Sequence, residues 1–123
     1  MHIKKHPVRP MNTVGAEKTF DMLCGKWKII ILTNLYKQDC MRYSEIKKEL
    51  QQYEISNYML SKSLEELCND HLVERTVFPE VPPHVEYSPT PKAIELIRIF
   101  LQMTEWYTRY RIQELEMLLK QNS

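Results

Sequence analysis

Polar side chains lie along one side of the segment 55–68, and their types suit hydrogen bonding rather than bond cleavage. Apolar residues recur in this segment at helical spacing, which predicts a helix with one buried face. The opposite face carries Asn57, Tyr58, Ser61, Lys62 and Glu65. Near the N-terminus of an inserted helix, such groups can reach base edges and phosphates of duplex DNA. An ordinary solvated face is the alternative interpretation.

The residues just before this helix could add contacts to the same surface. Ser56 is expected to cap the helix, and the amide groups beside it could hold a phosphate. Arg42, Tyr43 and Ser44 begin the preceding helix and could clamp another phosphate, with simple capping as the alternative. The full set of candidate DNA-binding residues is Arg42, Tyr43, Ser44, Ser56, Asn57, Tyr58, Ser61, Lys62, Arg75 and His84.

Sequence signatures of catalysis are absent. The chain has no Gly-rich phosphate loop, no His-Glu metal helix and no GxSxG elbow, so we expect no enzymatic activity and no cofactor. His2 and His6 are four residues apart, but Pro7 opposes the helix that would let them chelate a metal. No metal site is therefore expected.

The three cysteines form no CxxC pair, which argues against a disulfide framework or a zinc ribbon. We expect reduced thiols, at least two of them packed as small apolar residues, with Cys68 in the core. Cys24 is the candidate reactive thiol, because it precedes a helix N-terminus and lies near Lys26, and both features favour a thiolate. Packing is the alternative for Cys24 as well.

Length and charge set further limits. At 123 residues the chain allows one domain, and its formal net charge is +1. Residues 26–90 hold eight Lys or Arg against ten Asp or Glu, so binding to a duplex must depend on where the few cations lie. No apolar run approaches the roughly 20 residues that span a bilayer, and the N-terminus lacks a secretory signal. We expect a cytoplasmic protein with no membrane partner.

The order of helices and strands is predicted from helix-breaking residues and from the spacing of apolar residues. Residues 1–12 form an extended arm, whose Lys4, Lys5 and Arg9 could follow the DNA backbone or simply belong to a disordered terminus. Residues 13–25 contain a first helix with Phe20 and Leu23 facing inward. The following helix is apolar nearly all round, which is typical of a buried central helix.

The segment after the central helix is predicted to be a short strand at residues 41–42 and then a helix. Ser44 is expected to cap that helix, which ends near Leu50, with Glu45 stabilising its N-terminal end.

A β-hairpin, here called the wing, is predicted to follow the polar helix. Residues 72–78 have strand composition, the proline-rich segment 79–84 turns the chain, and residues 85–87 return it. Arg75 and His84 would flank the DNA backbone or minor groove if the wing reaches the duplex, and ordinary strand and turn polarity is the alternative. This order predicts a mainly α fold with a small β-hairpin, a winged helix-turn-helix whose core occupies residues 26–90.

Residues 91–120 predict one long helix, with Thr90 as N-cap and Pro91 in the first position. At 1.5 Å per residue it would be about 45 Å long, more than the width of so small a domain. A two-fold homodimer built on N- and C-terminal dimerisation helices would cover its apolar surface and present two polar helices to two half-sites. The candidate dimer-interface residues are Phe20, Phe100, Thr104, Trp106, Tyr107, Tyr110, Leu115 and Leu118.

Aromatic side chains could also line a pocket for a small-molecule effector. The candidates are Trp27, Tyr36, Trp106, Tyr107 and Tyr110. The same side chains could instead fill the core, and the sequence does not identify an effector.

Several motifs together resemble the HxlR-type regulators over most of the chain, from His6 to about Trp106. They are Gly25-Lys26-Trp27, Arg42-Tyr43-Ser44-Glu45-Ile46, Ile55-Ser56 with Met59-Leu60, Leu64 with Glu66-Leu67, Leu72-Val73 with Arg75, Pro79-Glu80-Val81-Pro82-Pro83, Val85-Glu86-Tyr87-Ser88 and Thr90-Pro91. The resemblance implies a dimeric bacterial transcription regulator, related in fold to the MarR group, whose first and last helices build the dimer interface.

This chain departs from that family pattern at several positions. His6 stands where many members carry a cysteine, so redox sensing there is not carried over. Tyr58, Ser63 and Glu65 replace residues that are usually basic, and His84 replaces the wing arginine. The alternative function is therefore a winged-helix protein-interaction dimer with weak or lost DNA binding.

Overall fold

The computed structural model describes residues 12–122, which form five α-helices and a three-stranded antiparallel sheet. The helices are α1 (Val14–Met22), α2 (Lys26–Gln38), α3 (Tyr43–Glu49), α4 (Asn57–Asn69) and α5 (Pro91–Gln121), and a short 3₁₀ turn spans Gln51–Tyr53. The strands are β1 (Met41–Arg42), β2 (Val73–Phe78) and β3 (His84–Pro89). This is the predicted order of elements. The predicted arm lies outside the described residues except for Asn12.

Helix α2 is the centre of the fold. Ile31, Leu32 and Leu35 have no solvent exposure, and the helix packs against α3, α4, α5 and β3. The nearly all-apolar sequence of this helix follows from contacts on several sides. The prediction of a central buried helix is confirmed.

The sheet has the strand order β1-β3-β2, so β3 is its central strand. Met41 pairs with Tyr87 on one side of β3, and Arg75 pairs with the same Tyr87 on the other side. Strands β2 and β3 form the wing, with Phe78 opposite His84 at its outer end. The two-residue strand β1 thereby ties the start of α3 to the base of the wing.

Side-chain caps begin the two helices that matter most for the surface of the molecule. Ser56 Oγ accepts a hydrogen bond of 3.1 Å from the Met59 amide at the start of α4. Thr90 Oγ1 accepts one of 3.1 Å from the Ala93 amide at the start of α5, and it donates another to the His71 carbonyl. Both predicted caps are confirmed.

Three local predictions are wrong. The N-cap of α3 is Arg42 rather than Ser44, because the helix begins at Tyr43, and the Glu45 carboxylate accepts a 2.8 Å hydrogen bond from the Arg42 amide. Phe20 does not face inward within this chain, since it is 60% exposed, although Leu23 is buried as expected.

The third concerns the cysteines. Cys24 and Cys40 are exposed and Cys68 is half-buried, so they are not two packed apolar residues. Cys24 and Cys40 lie in the turns that flank α2, where the chain runs at the surface.

Candidate nucleic-acid interface

Helix α4 presents a polar face to solvent and an apolar face to the core. Asn57, Tyr58, Ser61 and Lys62 are all exposed, and Tyr58 reaches 70% exposure. The other side of the helix buries Leu60, Leu64 and Leu67, together with Ser63. The sequence therefore predicted correctly which side of this helix faces outward.

The polar face carries positive charge near the helix N-terminus. The first turn of α4 has no acidic residue, so the amide dipoles of that end are not opposed there. Lys62 Nζ lies 5.9 Å from the centre of the Tyr58 ring, a cation–π arrangement that holds both side chains on the same face. Glu65 is also exposed, one turn further along from Ser61. Anion binding is thus favoured at the N-terminal end of the face.

Contacts from α3 fix the start of α4. The Tyr43 hydroxyl lies 3.2 Å from Asn57 Oδ1 and 3.4 Å from Ser61 Oγ. Lys47 Nζ donates a 2.9 Å hydrogen bond to the carbonyl of Ile55, the buried residue before the Ser56 cap. Lys47 was missed by the sequence reading, because nothing local marks a lysine that satisfies a carbonyl eight residues away.

The three candidate DNA-binding residues at the start of α3 differ in their exposure to solvent. Arg42 and Ser44 are exposed, whereas Tyr43 is half-buried and packs against the core. The structure therefore brings Tyr43 together with Asn57 and Ser61.

Arg75 belongs to a cleft between α4 and the base of the wing. Tyr43, Ser61, Glu65 and Tyr87 line the same open cleft, whose volume is about 230 Å³. Burial raises the pKa of the nearby Cys68 thiol, and the positive charge of Arg75 partly opposes that shift. No ion pair of Arg75 is found among residues 12–122, so its guanidinium is available to an anion.

His84 is placed in a different environment, within the wing itself. Its ring stacks on Phe78 with centroids 4.5 Å apart, and its side chain is 16% exposed. Nδ1 lies 3.0 Å from Glu80 Oε2, and Nε2 lies 3.9 Å from Glu86 Oε1. Two carboxylates thus surround the His84 ring, and the outer part of the wing is acidic.

A second surface runs along α5 and α1. From Leu101 to Gln121 every residue of α5 is exposed, including large apolar side chains. Trp106 and Tyr107 are 58% and 63% exposed, and open apolar grooves of about 260 Å³ and 410 Å³ flank Tyr107. Helix α1 buries none of its residues.

The predicted interface residues on this surface have similar positions. Phe20, Thr104, Tyr110, Leu115 and Leu118 are exposed, and Phe100 is half-buried against the core. Contiguous exposed apolar surface of this kind is characteristic of interaction sites.

The five aromatic residues considered for an effector pocket separate into two groups. Trp27 packs edge-on against Tyr53 with centroids 6.0 Å apart, and Trp27 and Tyr36 both contact the core. Trp106 and Tyr110 contact each other in a tilted arrangement on the exposed part of α5, with ring centroids 5.4 Å apart. Core packing therefore accounts for the first group but not for the residues of α5.

A buried lysine links α2 to α4. Lys28 Nζ lies 2.6 Å from Glu66 Oε2 and donates a 3.1 Å hydrogen bond to the Met22 carbonyl. The hydrogen bond and charge of Lys28 lower the pKa of Glu66. Cys24 lies with both residues around a cavity of about 320 Å³. The sequence gave no sign of this pair, whose members are 38 positions apart.

Among residues 12–122, no three His, Cys, Asp or Glu side chains are grouped so that they could hold a metal ion. None of the helices described has the length and apolar character that crossing a membrane requires.

Comparison with known proteins agrees with the fold. The chain is 42% identical over 92 residues to the regulatory protein MalR of Fusobacterium mortiferum, an alignment that covers 75% of this chain and 85% of MalR. Among solved structures, the reduced form of the transcriptional regulator YodB from B. subtilis has 33% identity and a TM-score of 0.69, covering 78% of this chain and 91% of YodB.

A MarR-family transcriptional regulator from Enterococcus faecalis superimposes with a TM-score of 0.80 at 25% identity, covering 92% of this chain and 99% of the other. The fold is thus the predicted winged helix-turn-helix. Residues 22–115 match the family described as HxlR-like helix-turn-helix. The chain therefore belongs to the HxlR-like helix-turn-helix family of transcriptional regulators.

Proposed function

We propose that this chain regulates transcription as a cytoplasmic homodimer that binds duplex DNA through α4, with the start of α3 and the base of the wing as supporting contacts. The observation that carries the proposal is the exposed polar face at the N-terminal end of α4, held in place by the Ser56 cap and by Tyr43. Groups of these types at this end of a helix suit base edges and phosphates in a major groove.

Electrostatics supports a division of roles within that surface. Lys62 and Arg75 contribute cations beside α4, and Arg42 contributes one at the start of α3, whereas His84 is held between two carboxylates. Phosphate contacts are therefore assigned to Arg42, Lys62 and Arg75, and base contacts to Asn57, Tyr58 and Ser61. His84 has the weakest support among the candidates, because the adjacent carboxylates repel a phosphate.

The dimer is supported by the uncovered apolar surface of α5 and α1. The exposed run of 21 residues at the end of α5, residues 101–121, includes Trp106 and Tyr107 and is covered by no other element among residues 12–122. A two-fold pairing of α5 and α1 with a second copy would bury this surface and would place two α4 helices on one side of the assembly. Half-sites about one helical turn apart would then be expected.

The DNA-binding proposal is tested by selecting bound fragments from a random duplex library at two salt concentrations. The wild-type protein is expected to enrich a two-part site. Lys62→Ala is expected to weaken binding to all sequences and to reduce the salt slope by about two, because the dimer loses one phosphate contact per protomer. Lys37→Ala is the matched control, since it removes an exposed lysine at the end of α2.

The acidic wing favours a second candidate, a winged-helix dimer that binds other proteins and has weak or no affinity for DNA. It predicts an intact dimer whose weak duplex binding does not depend on salt or sequence. A wild-type protein that shifts no duplex at low salt would exclude DNA binding and leave this alternative.

The dimer is tested separately by sedimentation equilibrium. Tyr107→Asp is expected to raise the dimer dissociation constant by about 30-fold or more, as loss of a central aromatic anchor does at many interfaces. Arg98→Ala, at an exposed polar position of the same helix, is expected to change it by less than about twofold. A wild-type chain that sediments as a monomer at micromolar concentration would refute the dimer.

A further inference from the structure

Tyr43 is placed so that one phenol oxygen contacts three polar atoms of α4. The hydroxyl lies 3.3 Å from the Asn57 main-chain carbonyl, 3.2 Å from Asn57 Oδ1 and 3.4 Å from Ser61 Oγ. The ring itself is half-buried and packs against the core. Core packing therefore fixes the position of the hydroxyl, and the hydroxyl in turn holds the polar face of α4.

The hydrogen bonds in this group run in one direction. Ser61 donates to the Tyr43 hydroxyl, and Tyr43 donates to Asn57. A serine hydroxyl has a single hydrogen, so Ser61 has only lone pairs left for an outside partner. The Asn57 carboxamide has its oxygen directed to Tyr43, so its NH₂ group offers two donors to the outside.

This arrangement restricts what the exposed face can recognise. An asparagine that reads adenine uses its oxygen and its NH₂ group together, on the adenine amino group and N7. Tyr43 occupies one of the two lone pairs of the Asn57 oxygen and directs that oxygen toward α3, so the NH₂ group is the part of Asn57 left to face acceptor edges, as guanine and thymine present in the major groove. Ser61, one helical turn along, is left to accept from an amino group of cytosine or adenine.

We propose that Tyr43 is a positioning residue that sets the base preference of α4, turning Asn57 into a donor toward guanine or thymine and Ser61 into an acceptor. The proposal rests on the proposed function, since it assumes that α4 enters the major groove. Residues four apart on a helix are separated by about 6 Å, so the two bases would be one or two pairs apart.

The test compares Tyr43→Phe with wild type in a selection from a random duplex library. Tyr53→Phe is the matched control, because it removes the hydroxyl of an exposed ring that packs on Trp27 of α2. Wild type and the control are expected to prefer guanine or thymine at one position of each half-site. Tyr43→Phe is expected to weaken that preference by about three- to tenfold, the range of one hydrogen bond, and to admit adenine.

A double-mutant cycle with Asn57→Ala separates positioning from a general structural effect. The cycle is read at the base that Asn57 contacts, because Tyr43 also bonds Ser61: if Tyr43 acts through Asn57, Tyr43→Phe is expected to change the preference at that base by less than about twofold once Asn57 is alanine. Additive losses in the cycle, an unchanged base preference in Tyr43→Phe, or a wild-type preference for adenine at that position would each overturn the proposal while leaving DNA binding intact.

A measurement without DNA tests the hydrogen bonds themselves. The side-chain NH₂ resonances of Asn57 in the free dimer are expected to shift and to broaden in Tyr43→Phe but not in Tyr53→Phe. Identical Asn57 side-chain spectra in wild type and Tyr43→Phe would overturn the proposal even if DNA binds. A wild-type protein that binds no duplex would instead remove the proposed function, and this inference with it.

Discussion

Lys28 is a buried lysine whose ammonium group depends mainly on one carboxylate. Its side chain is 9% exposed, and its contacts are Glu66 Oε2 at 2.6 Å and the Met22 carbonyl at 3.1 Å. Glu66 is much more open to solvent, with 42% of its side chain exposed. Water can therefore solvate the Glu66 carboxylate if Lys28 is removed more easily than it can solvate the Lys28 ammonium group if Glu66 is removed.

This difference in exposure predicts that removing Glu66 lowers the free energy of unfolding more than removing Lys28 does. Glu66→Ala leaves a buried charge with a single carbonyl. Breaking a fully buried pair in this way costs roughly 3–5 kcal/mol, and access of water to the emptied space reduces our expectation to about 1–3 kcal/mol. Lys28→Met removes the buried charge and keeps the apolar stem, so it is expected to cost only about 0–1 kcal/mol.

Urea unfolding at fixed chain concentration, at pH 7 and at pH 3, tests which variant loses more stability and whether the ionised Glu66 carboxylate is the cause. The pKa of Glu66 is lowered in the folded state, so its stabilisation is fully present above the unfolded-state pKa of about 4.3. It is lost as the pH falls through the folded-state pKa. The difference between wild type and Glu66→Ala should therefore shrink at pH 3. A larger loss for Lys28→Met than for Glu66→Ala, or a difference that does not change with pH, would refute the reasoning.

Three further predictions concern backbone, caps and thiols. Gly25→Ala is expected to lower the free energy of unfolding by about 1–3 kcal/mol, because Gly25 has φ +90°. Gly15→Ala in α1 is the control, because an added Cβ there meets nothing within 4 Å, and it is expected to leave the free energy of unfolding unchanged or to raise it by up to about 1 kcal/mol. Urea unfolding measures both. Thr90→Ala should cost about 1–2 kcal/mol and Ser44→Ala less than about 0.5 kcal/mol, and equal costs would contradict the observed caps. In timed alkylation followed by mass spectrometry, Cys68 should react more slowly than the other two cysteines, since it is half-buried and its pKa is raised. Equal labelling rates would contradict that prediction.

The features that the sequence predicted well are those with local signals. The apolar and polar faces of α4, the Ser56 and Thr90 caps and the central position of α2 all follow from helical spacing or from a capping residue beside its helix. The strand at residues 41–42 also agrees with the structure, and it pairs with β3.

The predictions that failed depended on neighbours that are distant in sequence. Ser44 was expected to be the cap of α3, but the pairing of Arg42 with Glu86 ends β1 at Arg42 and the helix begins immediately after it. Phe20 was expected to face inward because periodicity identifies an apolar face of α1, but periodicity does not say whether the same chain covers it. The Lys28–Glu66 pair was missed for a related reason, since a lysine in an apolar helix carries no mark of its partner.

Helix α4 is held by ties to two different helices before it meets any partner. Lys28 of α2 binds Glu66, Tyr43 of α3 binds Asn57, and Lys47 of α3 binds the carbonyl of Ile55. The last two ties act at the N-terminal end of α4, where the proposed base contacts lie. Ordering side chains and loops on binding costs free energy, and a surface ordered in advance avoids much of that cost. Residues 26–90 contain more acidic than basic side chains, so phosphate neutralisation adds little to the free energy of binding. Specific affinity would therefore have to depend on the prior ordering of α4.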